Sequence, residues 1–457
     1  MIIINLAIFF ISIFVPGYFL VGIFLRENKF SLLFRLALAY GVGVYFITIQ
    51  IFIWIFLFKL NLDVYWFWLL VLIENVILAD MYQRGFVRNE KIYVAKKIAH
   101  LLERIRLKEA LMLLFIFIQI SMVAFNAFSR PVATYDSVTM WAFRAKLLYS
   151  SQGVELTDSD SFEYLGGGSH PNYPWLVSIV QFWMHDVIGE YNDVYINFIF
   201  FGYYVATLIV LSCLLINFVS LFYSLVLVFF LSSMPLFFYH GFNAYADLIL
   251  SYYILCGFGF LLMWQQRRRM IFLYLSAIFY GISFFVKSES IIFVFAVFIM
   301  LMLMSRLGDL KCRLLLRYFI VVFLMALPWE IFKFKYDLGI MNEGGELGLH
   351  YEIFQNILPA YFLTNSFNVW WYIFFIIFLV YFKKIMCDKN LIFAWAYLFL
   401  VILLFFAVYL FTNSYWAVLN YTAIVRNILT YTPISVLIVG VTFGNESRGD
   451  MEGLGSK

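Results

Sequence analysis

The sequence predicts an all-α polytopic membrane protein with about 13 transmembrane helices and extracytoplasmic juxtamembrane helices between them. Three observations carry that prediction. Apolar residues make up 65% of the chain and charged residues 13%, where soluble domains carry about 25% charge; the mean hydropathy is +0.92. Apolar runs of about 20 residues recur along the length, each enough to cross a hydrocarbon core of about 30 Å. Lys and Arg collect in alternate loops, which orients the chain. The runs do not alternate apolar and polar with period two, so a β-barrel is excluded.

The expected spans are 2–25, 33–60, 64–82, 110–127, 194–217, 219–239, 247–264, 271–286, 290–305, 314–331, 367–382, 390–411 and 427–443. The first lacks a basic n-region and a small-residue cleavage site, so it is expected to remain as a span. With these boundaries 23 of the 31 Lys and Arg fall on one side, which the positive-inside rule makes cytoplasmic. The expected location is the plasma (inner) membrane, with the N-terminus outside and a short cytoplasmic tail, 446–457. The longest extracytoplasmic loops are then 128–193 and 332–366.

Within the spans, Pro16-Gly17 predicts a kink in the first. Glu74 with Asn75 is the one polar pair inside the third, and reads as a partnered packing residue. Gln83–Glu109 mixes Lys96, Lys97, Arg104, Arg106 and Lys108 with Val, Ile and Leu, the pattern of an amphipathic helix on the inner leaflet. Cys213 and Cys256 lie in apolar runs, Cys312 and Cys387 in basic loops, and none has a metal spacing or a disulfide pattern. The Gly166–Gly168 run opens no phosphate-binding helix, and neither a nucleotide motif nor a nucleic-acid-binding pattern is present. No cofactor is expected and no metal ligands are indicated, which leaves the assistance of a divalent metal open.

The functional residues concentrate in the polar break Tyr135–Pro174. Residues 137–150 predict a helix along the outer surface, with Asp136 at its start. Asp136 there has two readings of equal weight, a helix cap and a general base at the water–lipid boundary. Arg144 and Lys146 follow on the same helix. After the acidic Glu155–Glu163, His170-Pro171-Asn172-Tyr173-Pro174 returns the chain towards the bilayer. Val177–Ile188 is too short to span and is expected to be a second surface or re-entrant helix, with Trp141, Trp175 and Trp183 in an interfacial belt. Further polar residues gather at outer span ends: Asp247 opens the seventh span, Lys287-Ser288-Glu289 forms a turn, and Arg426 opens the last. Each has a plainer reading, as a cap, a solvated turn or a snorkelling anchor.

These residues carry a resemblance. Tyr135-Asp136 followed by Trp141-Ala142-Phe143-Arg144-Ala145-Lys146, then His170-Pro171-Asn172-Tyr173-Pro174, resembles the GT-C-type polytopic glycosyltransferases, the superfamily of the protein-mannosyltransferases and aminoarabinose transferases. Tyr245-Ala246-Asp247, Val286-Lys287-Ser288-Glu289 and Arg426 ahead of Pro433 resemble further motifs of its bacterial members. The resemblance covers about 110–443, which makes 1–109 an N-terminal three-span addition and 110–445 the membrane catalytic domain. Two features depart from the family. The first large loop follows the fourth span rather than the first, and Asp136 is followed by Ser137 rather than by a second acidic residue.

The resemblance implies transfer of a sugar from a polyprenyl-phosphate carrier to a hydroxyl of a glycan, lipid or protein acceptor outside the cytoplasm. Asp136 would be the base, Arg144, Lys146, Lys287 and Arg426 the candidates for phosphate, and Asp247 and Glu289 would orient them or the sugar. Tyr173 would stack on the sugar, and His170 would meet acceptor or phosphate. Two other classes share the many spans. An O-antigen polymerase or ligase would grip a diphosphate with arginines, which the outer loops carry sparingly. A flippase or transporter of lipid-linked glycans would line a pathway with intramembrane charge, whereas here the charges lie at the rim.

Overall fold

The computed structural model describes residues 2–25, 30–60, 62, 64–85, 105–151, 172–338 and 348–454. Every described element is helical; no strand occurs among the described residues. Among the described residues, nine helices are long and apolar enough to cross a membrane. They are α1 (Ile2–Phe24), α2 (Leu32–Phe52, prolonged by a π-turn to Leu57), α3 (Val64–Gly85), α4 (Leu107–Ser129), α7 (Asn197–Leu215), α10 (Ala246–Arg267), α13 (Cys312–Lys335), α17 (Lys389–Phe411) and α19 (Thr422–Leu454). The other four expected spans hold shorter apolar helices: α8 (Leu221–Ser233), α11 (Met270–Ser283), α12 (Ser290–Arg306) and α15 (Trp370–Val380). The expected span 219–239 breaks at Met234, which takes an extended ψ of 123° ahead of Pro235, as the residue before a proline tends to do; α9 (Pro235–His240) follows. The segments 86–104 and 152–171, with the expected amphipathic helix and His170, lie outside the described residues.

Local sequence sets several boundaries. The Ser31 hydroxyl accepts from the Phe34 N–H to cap α2, and the Asp388 carboxylate accepts from Asn390 and Leu391 to cap α17, satisfying amides that have no carbonyl partner inside the helix. The short helix α6 (Leu176–Ile188) stops at Gly189, whose φ of 83° lies in the left-handed region glycine tolerates.

The chain divides into two compact units. The first holds Met1–Val210, His240–Ala246 and Leu327–Ile340. Here α1 is helical through Pro16, and Gly17 serves close approach. A Cβ on Gly17 would stand 2.0 Å from the Ala39 carbonyl oxygen, and one on Gly43 1.9 Å from that of Ile13, so α1 and α2 touch backbone to backbone, as small residues permit in membranes. Gln50 of α2 lies beside Glu74, and the Asn75 amide donates to the Val71 carbonyl at 2.8 Å.

Helix α6 departs from one of its two expected placements, that of a surface helix: all of its residues except Asp186 and Val187 are buried, and it packs on α1, α2 and α5 (Phe143–Ser151). Asn5 donates to the Ile188 carbonyl at 3.0 Å, and Trp183 Nε1 to Ser12 Oγ at 3.0 Å. Trp141, Trp175 and Trp183 are therefore core residues, not an interfacial belt; their large apolar area is worth more inside protein packing than at a headgroup boundary.

The second unit holds Leu211–Tyr239, Asp247–Ala326 and Met341–Lys457. The apolar window of α10 is buried throughout, and Gly259 and Gly281 provide notches for Leu214 and for Met325. Hydroxyl pairs brace its interior: Ser276 with Tyr318 at 3.0 Å, and Tyr280 donating to Tyr397 at 2.8 Å.

Candidate active site

In the first unit the polar break begins on a helix that is not regular. Tyr135 and Asp136 lead into a π-helix, Ser137–Ala142, which passes into α5. The turn closes through Val138 N–H to the Thr134 carbonyl at 2.9 Å, and the Thr134 and Ser137 hydroxyls pair. Asp136 makes no side-chain capping bond, so the cap, one of its two expected roles, is not formed; Asp136 stands half-buried beside exposed Tyr135. Single π-turns inside α-helices occur frequently at functional sites, because the extra residue re-aims the side chains that follow.

Arg144 is fully buried. Its guanidinium donates to the Tyr173 carbonyl at 2.9 Å and lies 4.7 Å from the centroid of the Trp175 ring. Burial lowers the pKa of its guanidinium to about 9. The Tyr173 ring meets Trp141 edge-on with centroids 5.9 Å apart. Arg144, Tyr173, Trp141 and Trp175 thus form one brace joining the π-helix to the segment that enters α6. Lys146 is exposed, with its ammonium 5.1 Å from the Tyr191 ring centroid.

Tyr191 in turn packs on His185, with ring centroids 4.5 Å apart. His185 Nδ1 accepts the Asn192 N–H at 3.3 Å, and burial lowers the imidazole pKa to about 4. Next to it, burial raises the Asp186 carboxyl to about 6. The two shifts oppose each other in stability. Between about pH 4 and 6.5 the unfolded chain holds the extra His185 proton, so that group makes stability rise with pH. Between about pH 3.8 and 6 the folded chain holds the extra Asp186 proton, so stability falls as pH rises; each effect is worth up to about 3 kcal/mol. Melting followed from pH 4 to 7 should therefore show little net slope in the unmodified protein. A rise with pH is expected in Asp186→Asn, and a fall in His185→Gln.

The second unit assembles three of the outer-end charges. Asp247 lies in the first turn of α10. Lys287 sits in a tight turn whose amides bond back to Ser283. The Lys287 ammonium donates to Asp247 Oδ1 at 2.9 Å and contacts Glu289 Oε1 at 2.7 Å, with Lys287 and Asp247 almost wholly buried. The plainer readings of these residues, a solvated turn and a cap, give way to a desolvated ion cluster. Arg426 lies in the second turn of α19, where its Nε donates to the Thr422 carbonyl at 2.9 Å.

Lys287 and Glu289 are also within electrostatic reach of the Tyr409 hydroxyl. Tyr409 accepts from the Asn427 amide at 2.6 Å, and both residues line an apolar cavity of about 330 Å³ among α14 (Phe354–Phe362), α17 and α19. Tyr361 and Tyr431, whose hydroxyls pair, line it too. Sequence reasoning missed the three tyrosines, since each lies within an apolar run, while Asn427 was visible only as the neighbour of Arg426 at the start of the last span. It also passed over Ser178, Gln181 and His185, whose spacing of three and four residues on α6 places a buried polar face on an otherwise apolar helix. No three His, Cys, Asp or Glu among the described residues could hold a metal ion.

The chain is similar to one solved structure in particular, ArnT from Cupriavidus metallidurans in the apo state, an aminoarabinose transferase of the GT-C type. The match has a TM-score of 0.52 at 12% identity and covers 75% of this chain and 61% of that one. The chain thus spans about three-fifths of the length of that structure, and at this identity the likeness establishes the fold alone. The chain shares the polytopic helical fold of that structure. No protein-family model and no curated protein sequence matches the chain.

Proposed function

We propose that the protein is a glycosyltransferase that moves a sugar from a polyprenyl-phosphate carrier to an acceptor hydroxyl at the extracytoplasmic face, with Asp136 as general base. One observation carries this reading: a buried lysine held between two carboxylates near span ends of a chain with a fold similar to that of ArnT. A desolvated ammonium is costly unless paired, and a paired one near the ends of spans is suited to exchange a carboxylate for an arriving phosphate oxygen.

In the reaction, the acceptor oxygen attacks the anomeric carbon while its proton passes to the Asp136 carboxylate. The bond from that carbon to the phosphate oxygen breaks, and its electron pair leaves with the phosphate. Lys287 and Arg426 stabilise the charge that grows there, Asp247 and Glu289 hold Lys287 in place, and Lys146, exposed on α5, supplies a further cation. Arg144 keeps the phosphate-facing role given to it by resemblance, and its bond to the Tyr173 carbonyl also holds the π-helix and Tyr173 in register. His170 keeps the acceptor- or phosphate-facing role given to it by resemblance, and the acceptor is a glycan, lipid or protein. The catalytic part is 110–445 and the first three spans are an addition to it.

Purified protein in lipid vesicles should release sugar from a polyprenyl-phosphate sugar to an added acceptor; absence of transfer from any such donor rejects the reading. Topology has its own check. Asp160→Cys should react with an impermeant thiol reagent added to intact cells, and labelling only after lysis would place the site on the other side.

A further inference from the structure

Three turns of the second unit are tied together at the end of α10 opposite Asp247. The Arg267 guanidinium donates to Asn217 Oδ1 at 2.9 Å, which links the turn after α10 to the turn after α7. The Arg268 guanidinium donates to the Asp309 carbonyl at 3.5 Å, which links it to the turn between α12 and α13. Arg268 takes a left-handed φ of 52°, a conformation costly for a bulky residue. Two contacts hold it there: its N–H bonds to the Trp264 carbonyl at 2.7 Å, and its guanidinium lies 5.1 Å from the Trp264 ring centroid.

These turns crowd positive charge. Arg267, Arg268 and Arg269 stand exposed after α10, and Arg306, Lys311 and Arg313 stand exposed around the turn between α12 and α13. The positive-inside rule asks for cations on one side of a membrane, not for their concentration on turns that touch. One carboxylate, Asp309, lies among them, and among the described residues no ion pair engages it, Arg306, Lys311 or Arg313. Like charges packed without a counter-charge repel one another. Beneath Arg268, Trp264 Nε1 is buried with no hydrogen-bond partner, and an indole nitrogen can only donate. A donor under a cation, within a cluster of cations, calls for an acceptor that carries negative charge.

The surroundings select the carrier of that charge. Leu307, next to Arg306, is 78% exposed, Leu303 one turn earlier is 50% exposed, and Met270, next to Arg269, is 40% exposed. Cations beside exposed apolar side chains at the ends of apolar helices match a headgroup lying over hydrocarbon. A soluble anion would meet the cations alone, whereas a phospholipid meets both. A zwitterionic headgroup brings its own ammonium, which the cluster repels. We infer that the turns after α10 and α12 bind the phosphate diester of an anionic glycerophospholipid, with its acyl chains along Leu303 and Leu307. Arginine suits this role because its planar fork grips two phosphate oxygens at once. The inference does not rest on sugar transfer, and its test reads binding alone.

Full-length protein is reconstituted in nanodiscs holding equal amounts of phosphatidylglycerol and phosphatidylcholine with matched acyl chains. The lipid retained after extraction into detergent is quantified by mass spectrometry. Phosphatidylglycerol should be retained about tenfold over phosphatidylcholine. Arg306→Gln with Arg313→Gln should lower that preference by about fivefold or more, while melting in phosphatidylcholine alone stays unchanged because neither side chain is exposed to an ion-pair partner within the described chain. Lys383→Gln with Lys389→Gln, which removes the same charge from exposed positions beside α15 and α17, should lower it by less than about twofold. Equal retention of the two lipids, or equal falls in the two double variants, would overturn the assignment. Displacement of phosphatidylglycerol by excess inorganic phosphate at constant ionic strength would overturn it in favour of a free anion.

Discussion

Asp136→Asn is expected to lower sugar transfer by about 10²–10⁴, the range a positioned general base contributes, while leaving the protein folded and inserted. The two halves of that expectation rest on different facts. Asparagine keeps the shape and hydrogen-bonding reach of the side chain but cannot take a proton from an attacking hydroxyl. Stability should change far less than activity, because Asp136 makes no capping bond to the π-helix and the turn is closed by Thr134 and Val138. Transfer from a polyprenyl-phosphate sugar, measured beside a thermal melt, separates the two. Full activity in Asp136→Asn would remove the base from the mechanism and leave the π-helix as a packing device.

The second large effect is expected from Lys287→Met. Removing one partner of a buried ion cluster leaves Asp247 with an uncompensated charge or forces it to take up a proton, at a cost of about 3–5 kcal/mol. Transfer should be lost as well, and the loss of stability alone would be enough to explain that. The double variant Asp247→Leu with Lys287→Met resolves the ambiguity. Replacing both ions by apolar groups restores much of the stability in other buried pairs, so this protein should regain most of its melting temperature. If the lysine holds the departing phosphate, transfer stays absent in the refolded double variant. Recovery of transfer together with stability would reduce the cluster to scaffolding.

What the sequence determined by itself was the solvent and the secondary structure. Apolar runs of span length leave the backbone no choice but helix, because unsatisfied amides are too costly in hydrocarbon, and each of the thirteen expected spans does contain a helix. The short motifs around Asp136, Asp247, Lys287 and Arg426 resembled the GT-C-type enzymes, and the fold observed is similar to that of ArnT from Cupriavidus metallidurans.

What only the tertiary structure decided was which apolar surfaces face protein and which face lipid. In water a hydrophobic face points inward. In a bilayer both environments are apolar, so the pattern along a helix does not distinguish them. That is why Trp141, Trp175 and Trp183, expected in an interfacial belt, prove to be core, and why the burial of Arg144 against Trp175 was not legible in its own helix. The polar pairings follow the same logic. Lys287 finds Asp247 across 40 residues and Tyr361 finds Tyr431 across 70. Periodicity reports only a residue's place on its own helix, and these partners are brought together by how one helix packs on the next.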